Sequence, residues 1–547
     1  MDWNKKQPKI KYNENQDVLT KLVKINGIES PNEFFKPSKK HLHGPELLGN
    51  IDNATDKIIS AIKNNDLIGI SFDVDYDGIS AGSIMYRYLK NFTDNIYYMY
   101  PDGREHGIEY QTDKIKPNKK LVIIVDSSTN SIDTCKELAE QGLELIILDH
   151  HQLDQGENKY ATIVNPQLCD YPNKEISGAG VVWKTIQVLD SKLNSNYNNN
   201  FIDLVGSALV ADVMDMSVLE NRYLVYQALD NIKNKGLKAI LQIMKPNHID
   251  SSTVGYVIAP MINGSIRLNQ TEQAIKLLLS DNPMECSNIV NSLKAMNDKR
   301  KNVEESIYQE VLQDIEGQID AEDKIIIVPY NKSLSSNYNG LIASKIANNF
   351  QRPAIFMVEE NGYLKGSYRG YNNFNVRDFL HNINGVDWAK GHDSAGGTGF
   401  FASKLNTIKK QINKNLSEEE FKPQIKYDLE IDAGDIDEKL IQRLDKYNHV
   451  TGRGFESAKF RVKGLMTTKK EVIGQNKDTI KITCSTNNGG ELVLIKFKTD
   501  KNWKNDIGTY DEIEAVGQLN LNEFFNWGKK EMITTKQVLV DDVKIVN

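Results

Sequence analysis

Three short apolar segments that each run into an aspartate constrain the fold of this chain more than any other feature. The segments at residues 67–72, 121–125 and 143–148 lead directly into Asp73, Asp126 and Asp149. Helix-length stretches separate them, which is the spacing of βαβ units in a parallel sheet. Ligands bind such sheets at the carboxyl ends of the strands. The pattern therefore predicts an α/β domain with an acidic site at one sheet edge.

Three further regions follow this domain. Apolar residues recur at helical spacing from residue 287 to about 318, which predicts one long helix. We interpret it as a connector between domains, with a helix inside one domain as the alternative. Residues 324–360 predict a second α/β segment, and short alternating strands after residue 425 predict a small β-barrel.

Composition sets wide limits on function. A chain of 547 residues is long enough for three or four domains, and 39% hydrophobic with 26% charged residues is typical of a globular protein. The sequence has no apolar run of about 18 residues and no signal-peptide pattern, so we expect a cytoplasmic protein without a membrane segment. The scattered cysteines predict structural thiols. The net charge of −7 does not exclude a nucleic-acid partner, because binding depends on local potential.

The first acidic segment points to a divalent cation. Asp73, Asp75 and Asp77 alternate just before Gly78, and carboxylates this close repel one another unless a cation lies between them. An acidic helix N-terminus is one alternative. A calcium-binding EF-hand loop is another, but it needs a glutamate six residues after its glycine, where this chain has Ile84.

The other acidic positions add imidazole to the carboxylates. His150 and His151 follow Asp149, and a mixed set of His and Asp suits Mn²⁺ or Mg²⁺ better than Ca²⁺. Asp212 follows the apolar run LVGSALVA and would be costly to bury without a partner. A metal ion would be such a partner.

Several motifs in order resemble the DHH superfamily of phosphoesterases, and its RecJ-type single-strand-specific exonucleases in particular. DVDYDG, VDSS and LDHHQ resemble the first three superfamily motifs, and NPQ, SGAGVVWK, ALVADVMDM and ENR resemble downstream signatures of the RecJ branch. APMINGSIRL, GSYRG, GHDSAGGTGF and TGRGFESAKFRVKG resemble its later segments, including the DHH-associated domain and the OB domain. The departures are Ser127-Ser128 in the second motif and Lys390, which stands where a glycine is common.

The resemblance implies a fold and an activity. The fold is an α/β protein with an N-terminal extension at 1–49, a parallel-sheet DHH catalytic domain at 50–284, a long connector helix at 285–318, an α/β DHH-associated substrate-binding domain at 319–415 and an OB-like β-barrel at 425–547. The activity is 5′-to-3′ hydrolysis of single-stranded DNA to 5′-mononucleotides with two divalent ions, Mn²⁺ or Mg²⁺, in DNA repair, recombination or replication.

The resemblance also assigns roles to individual residues. The metal ligands would be Asp73, Asp75, Asp77, Asp126, His150 and Asp212, with Asp73 either a ligand or a close neighbour of the ligands and Asp126 the bridge between the ions. The catalytic residues would be His151, Asp149 and His392. The substrate contacts would be Arg104, Asn263, Arg267, Ser367, Arg369 and His392. On the barrel, Arg453, Phe455, Lys459, Phe460 and Trp503 could track the strand, although Phe460 and Trp503 could equally belong to the barrel core.

Two rival functions stay open at this point. One is a DHH phosphodiesterase acting on short oligonucleotides or cyclic dinucleotides, which would not need an OB-like region. The other is an inactive scaffold that binds single-stranded DNA, in which we would expect metal ligands to be lost. The expected partners are single-stranded DNA, with RNA left open, and a single-strand-binding protein or helicase. We expect a monomer.

Overall fold

The computed structural model describes residues 2–546 except for short gaps at residue 104, 117–119, 154–155, 316–318, 320–322, 332–333, 335–337, 372–373, 418–420, 422–423, 475–476, 498, 500–506, 527 and 529. The chain divides into two compact units. The larger unit comprises Lys6–Asn297 and Asp428–Asn547, and the smaller unit comprises Met1–Lys5 and Asp298–Tyr427.

Helices and strands are numbered along the chain. The helices are α1 Val18–Ile25, α2 Pro31–Phe35, α3 Ile51–Lys63, α4 Tyr76–Leu89, α5 Ile132–Glu140, α6 Gly178–Leu193, α7 Ile202–Ala211, α8 Leu219–Asp230, α9 Lys235–Met244, α10 Ser251–Thr253, α11 Ala259–Arg267, α12 Thr271–Leu279, α13 Pro283–Ile315, α14 Asn339–Phe350, α15 Val376–His381, α16 Leu405–Asn415 and α17 Glu438–Asn448. The strands are β1 Asp2–Lys5, β2 Ile68–Ser71, β3 Ile96–Met99, β4 Leu121–Val125, β5 Glu144–Leu148, β6 Thr162–Val164, β7 Ile326–Tyr330, β8 Ala354–Glu360, β9 Tyr363–Arg369, β10 Trp388–His392, β11 Ala395–Phe401, β12 Gln424–Tyr427, β13 Leu429–Asp432, β14 Phe460–Ile473, β15 Thr479–Thr486, β16 Glu491–Lys496, β17 Glu512–Asn526 and β18 Glu531–Ile545.

A parallel sheet forms the centre of the larger unit. Its strand order is β3-β2-β4-β5-β6, and every neighbouring pair is parallel. Strands β2 and β4 are buried along their whole length. One face packs in a cluster with residues of α3, α4 and α6, and the other with Cys135 and Leu138 of α5. Helices on both faces explain why these strands are continuously apolar rather than alternating.

A second sheet in the larger unit forms the predicted β-rich region. Its strands pair in the order β13-β14-β15-β16-β18-β17, and β17 also pairs with β14, the second strand of that order. Phe455 and Phe460 are buried in the core of this unit. The prediction that Phe455 tracks DNA is therefore wrong, because its ring packs in the core, and Phe460 is the core residue that its alternative interpretation gave. Trp503 lies outside the described residues.

The smaller unit contains a mixed sheet in the order β10-β11-β9-β8-β7, in which only β7 and β8 run parallel. Strand β1 pairs in parallel with β12 beside it. The predicted long helix is present as α13. The fold class predicted from the sequence is confirmed. Among the described residues, no helix is both long and apolar enough to cross a bilayer.

Candidate metal centre

The predicted acids meet at the carboxyl edge of the parallel sheet. Asp73 follows the end of β2, Asp126 follows β4 directly, Asp149 follows β5 directly, and Asp212 caps the C-terminus of α7. Three sets of side chains each place one ligand atom within 4.8 Å of the others: Asp126 with His150 and His151, Asp77 with His150 and Asp212, and Asp73 with Asp75 and Asp126. All six residues predicted as metal ligands therefore lie together, and Asp126 and His150 each belong to two sets.

His150 is the best indicator that a cation belongs here. Its Nε2 lies 3.3 Å from Asp126 Oδ1 and 3.3 Å from Asp212 Oδ2. Burial lowers the pKa of His150, which favours the neutral ring. Both of those carboxylate oxygens are buried and have no hydrogen-bond partner among the described residues, and the same holds for Oδ1 of Asp73. Acceptors that converge without donors are costly in a buried site, and a divalent cation satisfies all of them at once.

The carboxylates raise one another's pKa. Burial, followed by repulsion from Asp73 and Asp77, raises the pKa of Asp75 to about 6. Burial, followed by repulsion from Asp77 and Asp75, raises the pKa of Asp212 to about 8. The pKa of Asp126 is also raised well above its ordinary value, first by burial and then by its acidic neighbours. Without a cation, the site holds its negative charge only at a cost.

The first turn of α6 holds Asp77 in place. The backbone N–H of Gly178 donates to Asp77 Oδ2 at 2.7 Å, and that of Ala179 donates to Oδ1 at 3.0 Å. Helix N-terminal amides are natural partners of a carboxylate. A Cβ at position 178 would lie 2.3 Å from Oδ1 of Asp126, so only glycine fits between the helix and the acids. The motif SGAGVVWK contributes to the family resemblance, but the sequence does not predict that its first turn holds Asp77.

Asp149 is fully buried, and both of its oxygens are engaged in hydrogen bonds. Oδ1 accepts from the backbone N–H of His150 and His151 and lies 2.7 Å from His151 Nδ1. Oδ2 accepts from the backbone N–H and the hydroxyl of Thr129, at 3.1 and 2.6 Å. Burial would raise the pKa of Asp149, but these bonds and the two histidines hold it well below its ordinary range. Burial would lower the pKa of His151, but Asp149 raises it to about 9.

The loop that carries Asp126 has strained backbone. Asp126 and Ser128 have φ of +60° and +76°, in the left-handed region that non-glycine residues rarely adopt. The Ser128 hydroxyl accepts a 2.9 Å hydrogen bond from the backbone N–H of Ile108. Ser128 is one of the two residues that depart from the usual second motif, and its side chain thus anchors the neighbouring loop.

That neighbouring loop contributes a residue that sequence reasoning missed. His106 Nδ1 lies 2.8 Å from Asp73 Oδ2. A single histidine in a loop carries no motif signal, and only its position two residues after Arg104, a predicted substrate contact, could have drawn attention to it.

The predicted substrate contacts are spread over both units. Asn263 and Arg267 lie on α11 of the larger unit, and Asn263 Oδ1 is buried without a hydrogen-bond partner among the described residues. Ser367 and Arg369 lie on β9 and His392 on β10, all in the smaller unit. Arg369 Nη1 donates to the Tyr368 carbonyl at 2.7 Å. Arg104 and the side chain of His392 lie outside the described residues.

Two family models match the chain. Residues 67–209 match the N-terminal domain of the DHH family, and residues 427–534 match the RecJ OB domain. The YorK protein of the SPbeta prophage in Bacillus subtilis is 28% identical over 97% of this chain and 96% of its own length. The single-stranded-DNA-specific exonuclease RecJ of Haemophilus influenzae is 25% identical over 97% of both chains.

A solved structure shares the fold. The crystal structure of RecJ in complex with Mn²⁺ from Thermus thermophilus superposes with a TM-score of 0.78 over 99% of this chain and 79% of its own, at 20% identity. The DHH and OB matches coincide with the parallel sheet and the strand-rich region described above. The chain is therefore similar to the DHH family and to its RecJ-type exonucleases in sequence, and it shares the fold of the Thermus structure.

Proposed function

We propose that this chain is a 5′-to-3′ exonuclease that hydrolyses the phosphodiester bonds of single-stranded DNA and releases 5′-mononucleotides. The observation that carries the proposal is the convergence of buried carboxylate oxygens on Nε2 of His150 without a donor among them. The choice of substrate is supported by the names of the relatives and by the match to the RecJ OB domain.

The ligand sets suit two divalent ions, Mn²⁺ or Mg²⁺. Asp126 belongs to two of the three sets, which supports its role as the bridge. The proposed ligands are Asp73, Asp75, Asp77, Asp126, His150 and Asp212. When bound, the ions would supply positive charge at the scissile phosphate and would favour ionisation of the attacking water.

The remaining residues of the site orient the substrate. Asp149 fixes one ring nitrogen of His151 and leaves Nε2 for an oxygen of the scissile phosphate, and the His151 side chain is 57% exposed, so a substrate can reach it. We assign the DNA backbone to Arg104, Asn263, Arg267, Ser367 and Arg369, and a contact near the reacting phosphate to His392. The domain limits given above, action as a monomer, and recruitment by a single-strand-binding protein or helicase in DNA repair, recombination or replication belong to the same proposal.

A time course with end-labelled DNA tests the proposal. Single-stranded DNA labelled at the 5′ or the 3′ end would be incubated with Mn²⁺ or Mg²⁺, beside duplex DNA, single-stranded RNA and a dinucleotide. We expect immediate release of a labelled mononucleotide from the 5′ end of single strands. The Asp126→Ala variant should abolish it, whereas Asp52→Ala, an exposed acid of α3, should not.

Other outcomes would replace the proposal. Cleavage confined to the dinucleotide would indicate a phosphodiesterase for short substrates. Binding of single strands without cleavage under either metal would indicate a scaffold. Release of label first from the 3′ end would reverse the proposed polarity.

A further inference from the structure

The loop between β3 and β4 places an imidazole against the metal centre. His106 Nδ1 lies 2.8 Å from Oδ2 of Asp73. Asp73 is almost fully buried, whereas the His106 side chain is 60% exposed. The other oxygen of the same carboxylate, Oδ1, is buried and has no hydrogen-bond partner among the described residues. An ionised carboxylate can only accept, so in this pair Nδ1 carries the proton and donates it.

A buried side-chain amide fixes the positions of Asp73 and His106 relative to each other. The side-chain nitrogen Nε2 of Gln111 donates to the carbonyls of Phe72 and Gly107, at 3.3 Å each. Phe72 precedes Asp73 and Gly107 follows His106, so one amide group fixes the backbone beside both members of the pair. Oε1 of Gln111 accepts from the Ser71 hydroxyl at 3.0 Å, and Gln111 is fully buried. A buried amide that makes three hydrogen bonds is a rigid support.

A second anchor holds the backbone that follows His106. The backbone N–H of Ile108 donates to the Ser128 hydroxyl at 2.9 Å, and the Ile108 side chain is fully buried. Between His106 and Ile108, Gly107 has a φ of +100°, which a side chain would strain. The His106 ring is therefore exposed, but hydrogen bonds at Gly107 and Ile108 hold the backbone directly after it.

The two histidine–aspartate pairs of the site differ in what the acid lacks. Asp149 receives donors on both oxygens, from Thr129 and from the segment of His151. The described hydrogen bond to Asp73 engages Oδ2, and Oδ1 is buried without a donor among the described residues, in a side chain that forms a set with Asp75 and Asp126. Asp149 has donors on both oxygens and needs no cation, whereas Asp73 has one oxygen engaged and one left to bind a metal ion.

We propose that His106 is a positioning residue for Asp73. Its Nδ1–H fixes Oδ2 and thereby turns Oδ1 towards the divalent ion held with Asp75 and Asp126. The inference rests on the proposed function, because it assumes that the centre binds divalent ions. It adds a residue outside the recognised motifs, on a loop whose conformation then controls metal affinity.

Mn²⁺ binding to the full chain tests this role without relying on turnover. Free Mn²⁺ would be followed by electron paramagnetic resonance during titration of the wild type, His106→Ala, His106→Asn and, as a control, His381→Ala, an exposed histidine at the end of α15. Because partners of metal ligands typically contribute 10–100-fold, we expect His106→Ala to weaken Mn²⁺ binding by about that factor. Asn can donate from Nδ2 near the position of Nδ1, so His106→Asn should keep most of the affinity, and His381→Ala should keep all of it.

The outcomes separate this inference from the proposed function. Wild-type affinity in His106→Ala would overturn it, and so would equal losses in the Ala and Asn variants, because the donor would then not be what matters. If the wild type bound Mn²⁺ and cut DNA in those cases, the proposed function would stand. If the wild type did neither, the proposed function would fall first. Melting curves should show that every variant is fully folded at the temperature of the titration.

Discussion

Asp126 and Asp149 follow neighbouring strands of one sheet, and both are buried, yet they have opposite surroundings. Asp149 receives hydrogen bonds on both oxygens, and its pKa is held low. Asp126 has acidic neighbours, an oxygen without a donor among the described residues, and a raised pKa. Burial alone therefore does not distinguish a proposed metal ligand from a supporting acid. The number of hydrogen-bond donors does, because an acid with donors on both oxygens has no need of a cation.

The sharpest test of this difference replaces each acid by its amide. We expect Asp126→Asn to lower turnover on single-stranded DNA by more than about 100-fold. Asp149→Asn should lower it by about 10–100-fold, the range typical of groups that support a metal site. In chelator-treated protein, the two substitutions should also change the stability in opposite directions. Asp126→Asn removes a repelled charge and should raise the melting temperature, whereas Asp149→Asn turns an amide towards donors and should cost about 1–3 kcal/mol.

Steady-state rates with Mn²⁺ and thermal melts in chelator measure both effects. If the two amide variants shifted the melting temperature in the same direction, the distinction between a ligand acid and a supporting acid would fail.

The glycine at the start of α6 gives the next largest effect. In Gly178→Ala, the added methyl would collide with Asp126 and displace it or the helix turn that holds Asp77. We expect a loss of about 10–100-fold in both Mn²⁺ affinity and turnover, on the scale of other supporting contacts. Gly255→Ala is the matched control, since a Cβ at that position meets no atom within 4 Å. Unchanged Mn²⁺ binding in Gly178→Ala would contradict the tight fit.

The raised carboxyl pKa values predict that stability depends on pH, and that a bound cation should remove this dependence. A group whose pKa is higher in the folded than in the unfolded state contributes stability that is lost as the pH rises through its folded pKa. With Asp75 at about 6 and Asp212 at about 8, chelator-treated protein should lose stability steadily from about pH 4 to pH 8. Asp126→Asn should flatten that slope, and saturating Mn²⁺ should reverse the loss at the alkaline end. Melting temperatures across this range, with and without Mn²⁺, measure it, and a flat profile in chelator would contradict the acidic repulsion.

The grouping of the proposed ligands could be predicted from the sequence because acid and imidazole residues occur in short contiguous motifs. DVDYDG, VDSS and LDHHQ place acid and imidazole directly after apolar strands, and the sheet brings strand ends together. The supports could not be predicted, because they pair residues far apart in the chain, such as Thr129 with Asp149 and His106 with Asp73. Backbone amides such as that of Gly178 carry no side-chain signal at all. The burial of Phe455 could not be predicted either, because it depends on tertiary packing that composition does not report.

The smallest expected effect concerns one donor to Asp149. Thr129→Val keeps the shape of the side chain but removes the hydroxyl that donates to Oδ2 at 2.6 Å, while the backbone donor remains. Losing one of several donors should lower turnover about 5-fold, or roughly 1 kcal/mol. Thr185→Val is the control, because the hydrogen bond described for its hydroxyl lies within α6, to the carbonyl of Val181. A loss as large as that of Asp149→Asn would show that the hydroxyl alone holds the acid.

The proposed ligands come from four separate stretches of chain between Asp73 and Asp212, and this has a consequence for how the protein folds. No local element contains the centre, so it can form only after strands β2, β4 and β5 have paired and α7 has docked. Contacts of long sequence separation form late and slowly. Uptake of Mn²⁺ during refolding should therefore lag behind helix formation and mark the moment at which the large unit is complete.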